Sequence, residues 1–391
     1  MKNVVIVSAV RSPIGTFGGA FKSLTPTDLM VPVLQEAVKR AGIETNDVNE
    51  IILGHCIQRT DEPNTARTSA LLAGFPHTTT GYTIQRQCAS GMQTIISAAM
   101  QIQLGVSDVV IAGGVEAMSS SPYVLKQHRW GNRLQHGQIT DTVWEILEDP
   151  IHHIMMGETA ENLVEKYKIT REEQDQAALL SHQRALHAIE SGYFESQIVP
   201  ITVKERKKET VISKDENPRA DLTYEKLSGL KPAFRKNGSV TAGNASSLND
   251  GSAALVLMSE EKAREKGVKP LARIAGYSVA GVDPLYMGIG PVPAIQKGLQ
   301  NVGWTLHDAD LLEVNEAFAA QYLAVEKQLG LNREKVNVNG SGISLGHPIG
   351  CTGARITVSL VHELQRRGLE KGIASLCVGG GMGVGVFVES L

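Results

Sequence analysis

The sequence predicts an α/β protein built from two duplicated, pseudo-symmetric halves with a lid domain inserted between them, and three observations carry that expectation. Residues 34–56, LQEAVKRAGIETNDVNEIILGHC, align without a gap on residues 295–317, IQKGLQNVGWTLHDADLLEVNEA, at a shift of 261 positions. A looser echo in the same order pairs DVVIAGG (108–114) with IASLCVGG (373–380). Two echoes in one order argue for two similar halves. Third, residues 119–249 break the pattern, so the halves are placed at 1–118 with about 250–270, and at 271–391, around a lid at 119–249.

Each element has a local reason. MKNVVIVSAVRSP at the start reads as a strand rather than a signal peptide. In both copies of the long repeat an amphipathic helix stops at a glycine, Gly42 or Gly303, and a loop leads to an apolar strand, Ile51 to Leu53 or Leu311 to Val314. Candidate functional residues follow each strand at once. The short extended run YTIQRQ stops at Cys88, after which Met92, Ile95, Ile96 and Ala99 recur at helical spacing. Within the lid, SSSPYVLKQHRWGNRLQHG is polar and irregular, and ITREEQDQAALLSHQRALHAIESG is a long charged helix. The charge run KERKKE (204–209) suits a solvated surface or a patch that meets a phosphorylated ligand.

Composition narrows the function classes. A chain of 391 residues, 42% hydrophobic and 20% charged, is neither disordered nor fibrous. Lys+Arg of 38 against Asp+Glu of 41 gives a net charge of −3, without the basic surplus that nucleic-acid phosphates require. No apolar run reaches the roughly 20 residues that cross a bilayer, so no membrane partner and a cytoplasmic location are expected. Four cysteines are too few for a disulfide scaffold, and His152 and His153 are adjacent rather than one helical turn apart, so no metal site is expected. The GG pairs lack the spacing of a dinucleotide or P-loop motif.

Four segments carry chemistry. Cys88 falls at a helix N-terminus, where the dipole and unpaired N–H groups favour thiolate and a pKa below about 8.5; a buried small hydrophobe is the competing reading. In NVNGSGISLGHPIGCTGAR, His347 sits between glycines and a proline just before a helix beginning near Gly350, held by backbone as a general base needs. In LCVGGGMGVGV, Cys377 lies in an apolar strand that runs into a glycine nest able to cradle an oxyanion. In LLEVNEAFAA, Asn315 stands at a strand end, as an active-site amide or a helix cap. TAGNASSLNDGSA (241–253) suits either a loop around a ligand or a plain turn.

Together, CASG at 88, VNEAFAAQ at 314, GHPIG at 346 and CVGGG at 377 resemble the thiolase family, and the likeness runs over essentially the whole chain, through RSPIGTFGGAF, GGVEAMSSSPY, KPAFRKNGSVTAGNAS and MGIGPVPA. The resemblance implies the layered αβαβα thiolase fold and a reversible condensation of two acetyl-CoA to acetoacetyl-CoA and CoA. It implies Cys88 as the nucleophile that carries the acyl group, His347 as the acceptor of its proton, and Cys377 as the acid/base for the second proton. It further implies one oxyanion site from His347 and a water held by Asn315, and another from the N–H groups of Cys88 and Gly379. Ser246, Arg219 and Met156 are implied as CoA contacts. CoA enters as substrate and product, no other cofactor is implied, and a homotetramer, a dimer of dimers tethered by the 119–140 stretch, is expected.

The chain departs from the common bacterial pattern. Met155, Met156 and Gly157 stand for His-Met-Gly, Ser247 for a glycine, Met382 for a glutamine, and Ser341, Ile343 and Ser344 for a glycine and two alanines. These positions bear on the lining of the acyl and pantetheine pocket. Together with SHQRA (181–185) they keep open a degradative 3-ketoacyl-CoA thiolase of longer chains. A non-catalytic acyl-CoA binder is a third reading, set against the retention of Cys88, Asn315, His347 and Cys377.

Overall fold

A computed structural model of the chain describes residues 2–205 and 208–391. The first half runs β1 (Val4–Arg11), α1 (Pro26–Ala41), β2 (Glu50–Gly54), α2 (Thr65–Leu72), β3 (Thr80–Ile84), α3 (Ser90–Gln103) and β4 (Val109–Ala117). Helices α4 (Met156–Tyr167) and α5 (Arg171–Glu190) follow before β5 (Asn249–Ser259) returns to the sheet. The second half runs β6 (Ala272–Gly281), α6 (Pro291–Val302), β7 (Leu311–Val314), α7 (Ala319–Leu329), α8 (Ile349–Arg367), β8 (Lys371–Val378) and β9 (Met382–Ser390).

The repeat in the sequence is a repeat in space. Helices α1 and α6 both end on left-handed glycines, Gly42 at φ 66° and Gly303 at φ 72°. Only a residue without Cβ takes that conformation without strain. The matched Asp47 and Asp308 then do the same work: each side chain accepts a backbone N–H three residues upstream, from Glu44 at 3.0 Å and Thr305 at 2.7 Å. Strand order is β3-β2-β4-β5-β1 in the first half and β6-β9-β8-β7 in the second. In both, the short strand after the repeat pairs parallel and the last strand pairs antiparallel. Where β3 lies beside β2, the second half has only a single parallel bridge, Val336 to Leu312. The halves join edge to edge through β1 and β6, at Val5 with Arg273 and Ile6 with Ala272.

Three apolar cores define five layers. Leu29, Val33 and Ala37 of α1 pack on Ile51, Leu53 and Val256, one outer face of the sheet. On the far side Ile295 of α6 and Leu323 of α7 cover Ile373 and Phe387. Between them Met92, Ile95, Ile96 and Ala99 of α3, and Ile356, Leu360 and Leu364 of α8, fill the space between inward residues of both halves, including Ile52, Leu255, Leu376 and Val386. Each fully buried Leu, Ile, Val, Met or Phe among them contributes about 1.5–3 kcal/mol. Helices α3 and α8 touch backbone to backbone, because a Cβ on Gly91 would lie 2.9 Å from Ala354 N, and one on Gly353 would lie 2.4 Å from Met92 N. Their first turns therefore meet at one place.

The long charged helix is α5, and most of residues 125–139 are exposed, with Tyr123–Val124 pairing with Thr140–Asp141. In KERKKE, Arg206 and Lys207 lie outside the described residues; Lys204 pairs with Glu209 at 3.0 Å. Arg11 of β1 is fully buried and forms a fork with Asp215, at 2.7 and 2.9 Å, tying β1 to the segment that precedes β5. Among the described residues no helix is long and apolar enough to cross a membrane.

Candidate active site

Cys88 lies two residues before α3, on a backbone held by its neighbours. Gln87 has φ 44°, a left-handed conformation that costs a residue with a long side chain. Its carbonyl is fixed by three donors: Ser90 Oγ at 2.7 Å, Ser90 N at 2.9 Å and Cys56 Sγ at 3.1 Å. Against expectation, the Cys88 thiol pKa is raised. Burial is the largest influence, and it outweighs the backbone N–H groups of Gly379 and of Cys88 itself, which pull the other way. The resting group is a thiol.

His347 is buried and held from both sides. Gly346 before it has φ 104°, and a Cβ there would lie 2.5 Å from the Asn249 side chain, whose Oδ1 accepts the His347 N–H at 2.9 Å. The ring Nδ1 lies 2.7 Å from Thr352 Oγ1. Burial, reinforced by the Arg355 guanidinium, lowers the imidazole to about 3, so it is neutral at pH 7.

Cys377 is the penultimate residue of β8, and the turn to β9 passes through Gly380 at φ 73° and Gly381 at φ 82°. Its thiol is buried and strongly raised, first by burial and then by the nearby Cys88. Gly379 packs so closely that a Cβ on it would meet Gln87 Oε1 at 2.3 Å and Met156 Sδ at 3.4 Å. Asn315, fully buried at the end of β7, places its amide 3.5 Å from His347 Nδ1 and leaves Oδ1 without a partner. Cys88, His347, Cys377, Asn315 and Gly379 thus gather where the first turns of α3 and α8 meet.

The CoA candidates are spread more widely. Met156 packs with Ala317, Phe318, Met287 and Cys377, beside the reactive groups. The loop of Ser246 is tied to the same place, its N–H donating to Ala317 O at 2.9 Å. Arg219 is exposed, with its backbone N–H on His182 Nδ1 at 3.2 Å, beside a small cavity lined by Asn217, Gly243 and Ser247. Of the departures from pattern, Ser247 donates to Asn249 Oδ1 at 2.9 Å, the amide that holds His347. Ser344 bonds Ser181 of the SHQRA segment at 2.8 Å, so that segment braces the GHPIG loop. Met382 lines an open groove with Gln85, Arg86, Gln87 and Val279.

Sequence reasoning missed Thr352, Asn249, Glu116 and Arg355. Glu116 and Arg355 had a signal, since each is a lone charge within an apolar run, VVIAGGVEA and ARITVSLV. Asn249 and Thr352 had none beyond lying near the motifs.

A neutral imidazole, a half-buried thiol at Cys88, a buried one at Cys377 and N–H groups directed at the Cys88 sulfur equip a site to pass an acyl group through sulfur. The matches to known proteins agree with that class. Residues 4–261 match the thiolase N-terminal domain and residues 268–390 the thiolase C-terminal domain. The chain belongs to the thiolase family. It is 50% identical to the acetyl-CoA acetyltransferase of Escherichia coli (strain K12) over 100% of both chains. Its structure matches that of the Bacillus anthracis acetyl-CoA acetyltransferase at TM-score 0.99 and 80% identity, covering 100% of this chain and 99% of that one. It also matches human mitochondrial 3-ketoacyl-CoA thiolase in complex with CoA at TM-score 0.97 and 44% identity, covering 100% and 98%.

Proposed function

We propose that the protein is an acetyl-CoA C-acetyltransferase, which condenses two acetyl-CoA to acetoacetyl-CoA and CoA, reversibly, through an acetyl-cysteine. The observation that carries this reading is the meeting of Cys88, His347 and Cys377 at the crossing of two helix N-termini, with the Gly379 N–H directed at the Cys88 sulfur. Neutral His347 takes the thiol proton as Cys88 sulfur attacks the thioester carbon, and the departing CoA sulfur takes the proton of the Cys377 thiol. Cys377, now a thiolate, removes a proton from the methyl of the second acetyl-CoA, the carbanion attacks the acetyl-cysteine, and Cys88 leaves as a thiol with the proton held on His347. His347 with a water on Asn315 stabilises one developing oxyanion, and the N–H groups of Cys88 and Gly379 the other; losing one such donor costs about 10²–10³ in rate.

In this reading Met156, Ser246 and Arg219 line the path of CoA from the acyl end outward. Residues 119–249 form the lid, and the exposed 119–140 stretch tethers a homotetramer in the cytoplasm, serving short-chain and fatty-acid metabolism. A second reading, a degradative thiolase of longer chains, is favoured by Met155 and by the likeness to a 3-ketoacyl-CoA thiolase. The two separate on thiolysis with CoA of 3-ketoacyl-CoA substrates of increasing length, with Cys88→Ala as control. A sharp preference for acetoacetyl-CoA supports the acetyltransferase; kcat/KM that holds or rises with length supports the degradative enzyme.

A further inference from the structure

Glu116 has no part in the acyl-transfer steps above, yet it sits under both reactive groups. It is fully buried near the end of β4. Its Oε2 accepts Cys56 N at 3.1 Å and Gly350 N at 2.8 Å, and its Oε1 accepts Ile57 N at 3.1 Å. His55 Nε2 lies 3.4 Å from Oε1. The two sides of this grip belong to different halves of the protein. On one side, Cys56 carries the grip upward, because its Sγ donates to the Gln87 carbonyl, the residue before Cys88. On the other, Gly350 lies in the first turn of α8, three residues after His347. Room for the carboxylate is made by a glycine: a Cβ on Gly350 would lie 2.7 Å from Oε2.

A buried carboxylate is expensive to hold for packing alone, and its pKa is raised to about 7 by burial even though three backbone N–H groups oppose the shift. A glutamine has one acceptor oxygen in place of two, so it can serve only part of this set of donors. We propose that Glu116 is a positioning residue that sets the Cys88 thiol and the His347 imidazole in register, by gripping with one carboxylate the loop beneath Cys88 and the first turn of the helix behind His347. The inference rests on the reading of Cys88 and His347 as the acyl-transfer pair. Reaction geometry is steep enough for this to matter, since a displacement of about 1 Å can cost about 10²-fold in rate.

The test is the single-turnover rate of Cys88 acetylation by acetyl-CoA in Glu116→Ala, Glu116→Gln, His347→Ala and the double variant Glu116→Ala/His347→Ala. A slow His347→Ala enzyme supports the underlying pair, and one at the wild-type rate removes it, together with the inference. Given a slow His347→Ala, the grip predicts that Glu116→Ala falls about tenfold or more at saturating acetyl-CoA, with half-saturation within about threefold of wild type. It also predicts a double variant no slower than His347→Ala alone, because the two losses are one loss. Losses that multiply, or a Glu116→Ala enzyme at the wild-type rate, overturn it. If Glu116→Ala does not fold, Glu116→Gln takes its place in both arms, with an intermediate loss expected and an unchanged rate contradicting the proposal.

Discussion

The Nδ1 of His347 lies 2.7 Å from the hydroxyl oxygen of Thr352, and that hydroxyl donates its only hydrogen to the Pro348 carbonyl at 2.9 Å. With its hydrogen so committed, Thr352 Oγ1 can only accept, so Nδ1 carries the ring proton and Nε2 presents the lone pair, and the Asn315 amide nitrogen, 3.5 Å from Nδ1, is a neighbour of that N–H rather than a donor to it. Thr352 therefore selects the tautomer. Thr352→Val keeps the shape and removes the acceptor, so we expect kcat for thiolysis to fall about 10- to 100-fold with KM little changed. An unchanged kcat would mean that the tautomer is set elsewhere.

The ionisation states of the site predict its pH behaviour. The Cys88 thiol is raised by burial and His347 is lowered to about 3, so at pH 7 the pair is thiol and neutral imidazole, not thiolate and imidazolium. Alkylation of Cys88 by iodoacetamide should climb with pH through the alkaline range, because thiolate appears only as pH approaches the raised pKa. Likewise, kcat should show no acid limb near 6.5 from His347, whose protonation lies far below. A plateau of alkylation rate between pH 6 and 7 would contradict both statements.

The crossing of α3 and α8 leaves no room for a methyl group. A Cβ on Gly353 would sit 2.4 Å from Met92 N, and backbone cannot swing aside as a side chain can. Gly353→Ala should therefore destabilise the protein by about 1–3 kcal/mol, read as a lowered denaturation midpoint. Because it parts the helices that carry Cys88 and His347, it should also slow turnover in the protein that remains folded.

Arg11 and Asp215 form a pair with no solvent contact for either side chain. Removing one partner leaves a buried charge uncompensated, so Arg11→Met should cost about 3–5 kcal/mol in urea unfolding. Arg11→Met/Asp215→Leu should recover a large part of that loss. A double variant no more stable than the single one would show that the fork contributes through packing, such as the Arg11 contact with the Phe194 ring at 5.0 Å, rather than through charge.

Much of this was legible in the sequence, for reasons that can be named. Helix stops at Gly42 and Gly303, the paired Asp47 and Asp308, and the apolar spacing of α3 are local signals, and local chemistry produces them in the structure. Motifs likewise marked Cys88, His347, Asn315 and Cys377, because special backbone and reactive groups coincide there. The direction of the Cys88 pKa was not legible: a helix N-terminus is visible in sequence, whereas the burial that outweighs it arises only when segments distant in the chain fold around the thiol. Glu116 and Asn249 escaped for the same reason, since their partners, Gly350 and His347, are distant in the chain.

The central claim is that Cys88 carries the acyl group. Its most direct test is to mix the protein with acetyl-CoA, quench in acid within one turnover, and locate the acetyl group by peptide mass spectrometry. The account predicts one acetyl group per chain on the peptide holding Cys88, discharged when CoA is added before the quench and absent from Cys88→Ala. An acetyl group found on Cys377 or on no cysteine, or a Cys88→Ala protein that still exchanges acetyl groups with CoA at the wild-type rate, would contradict it.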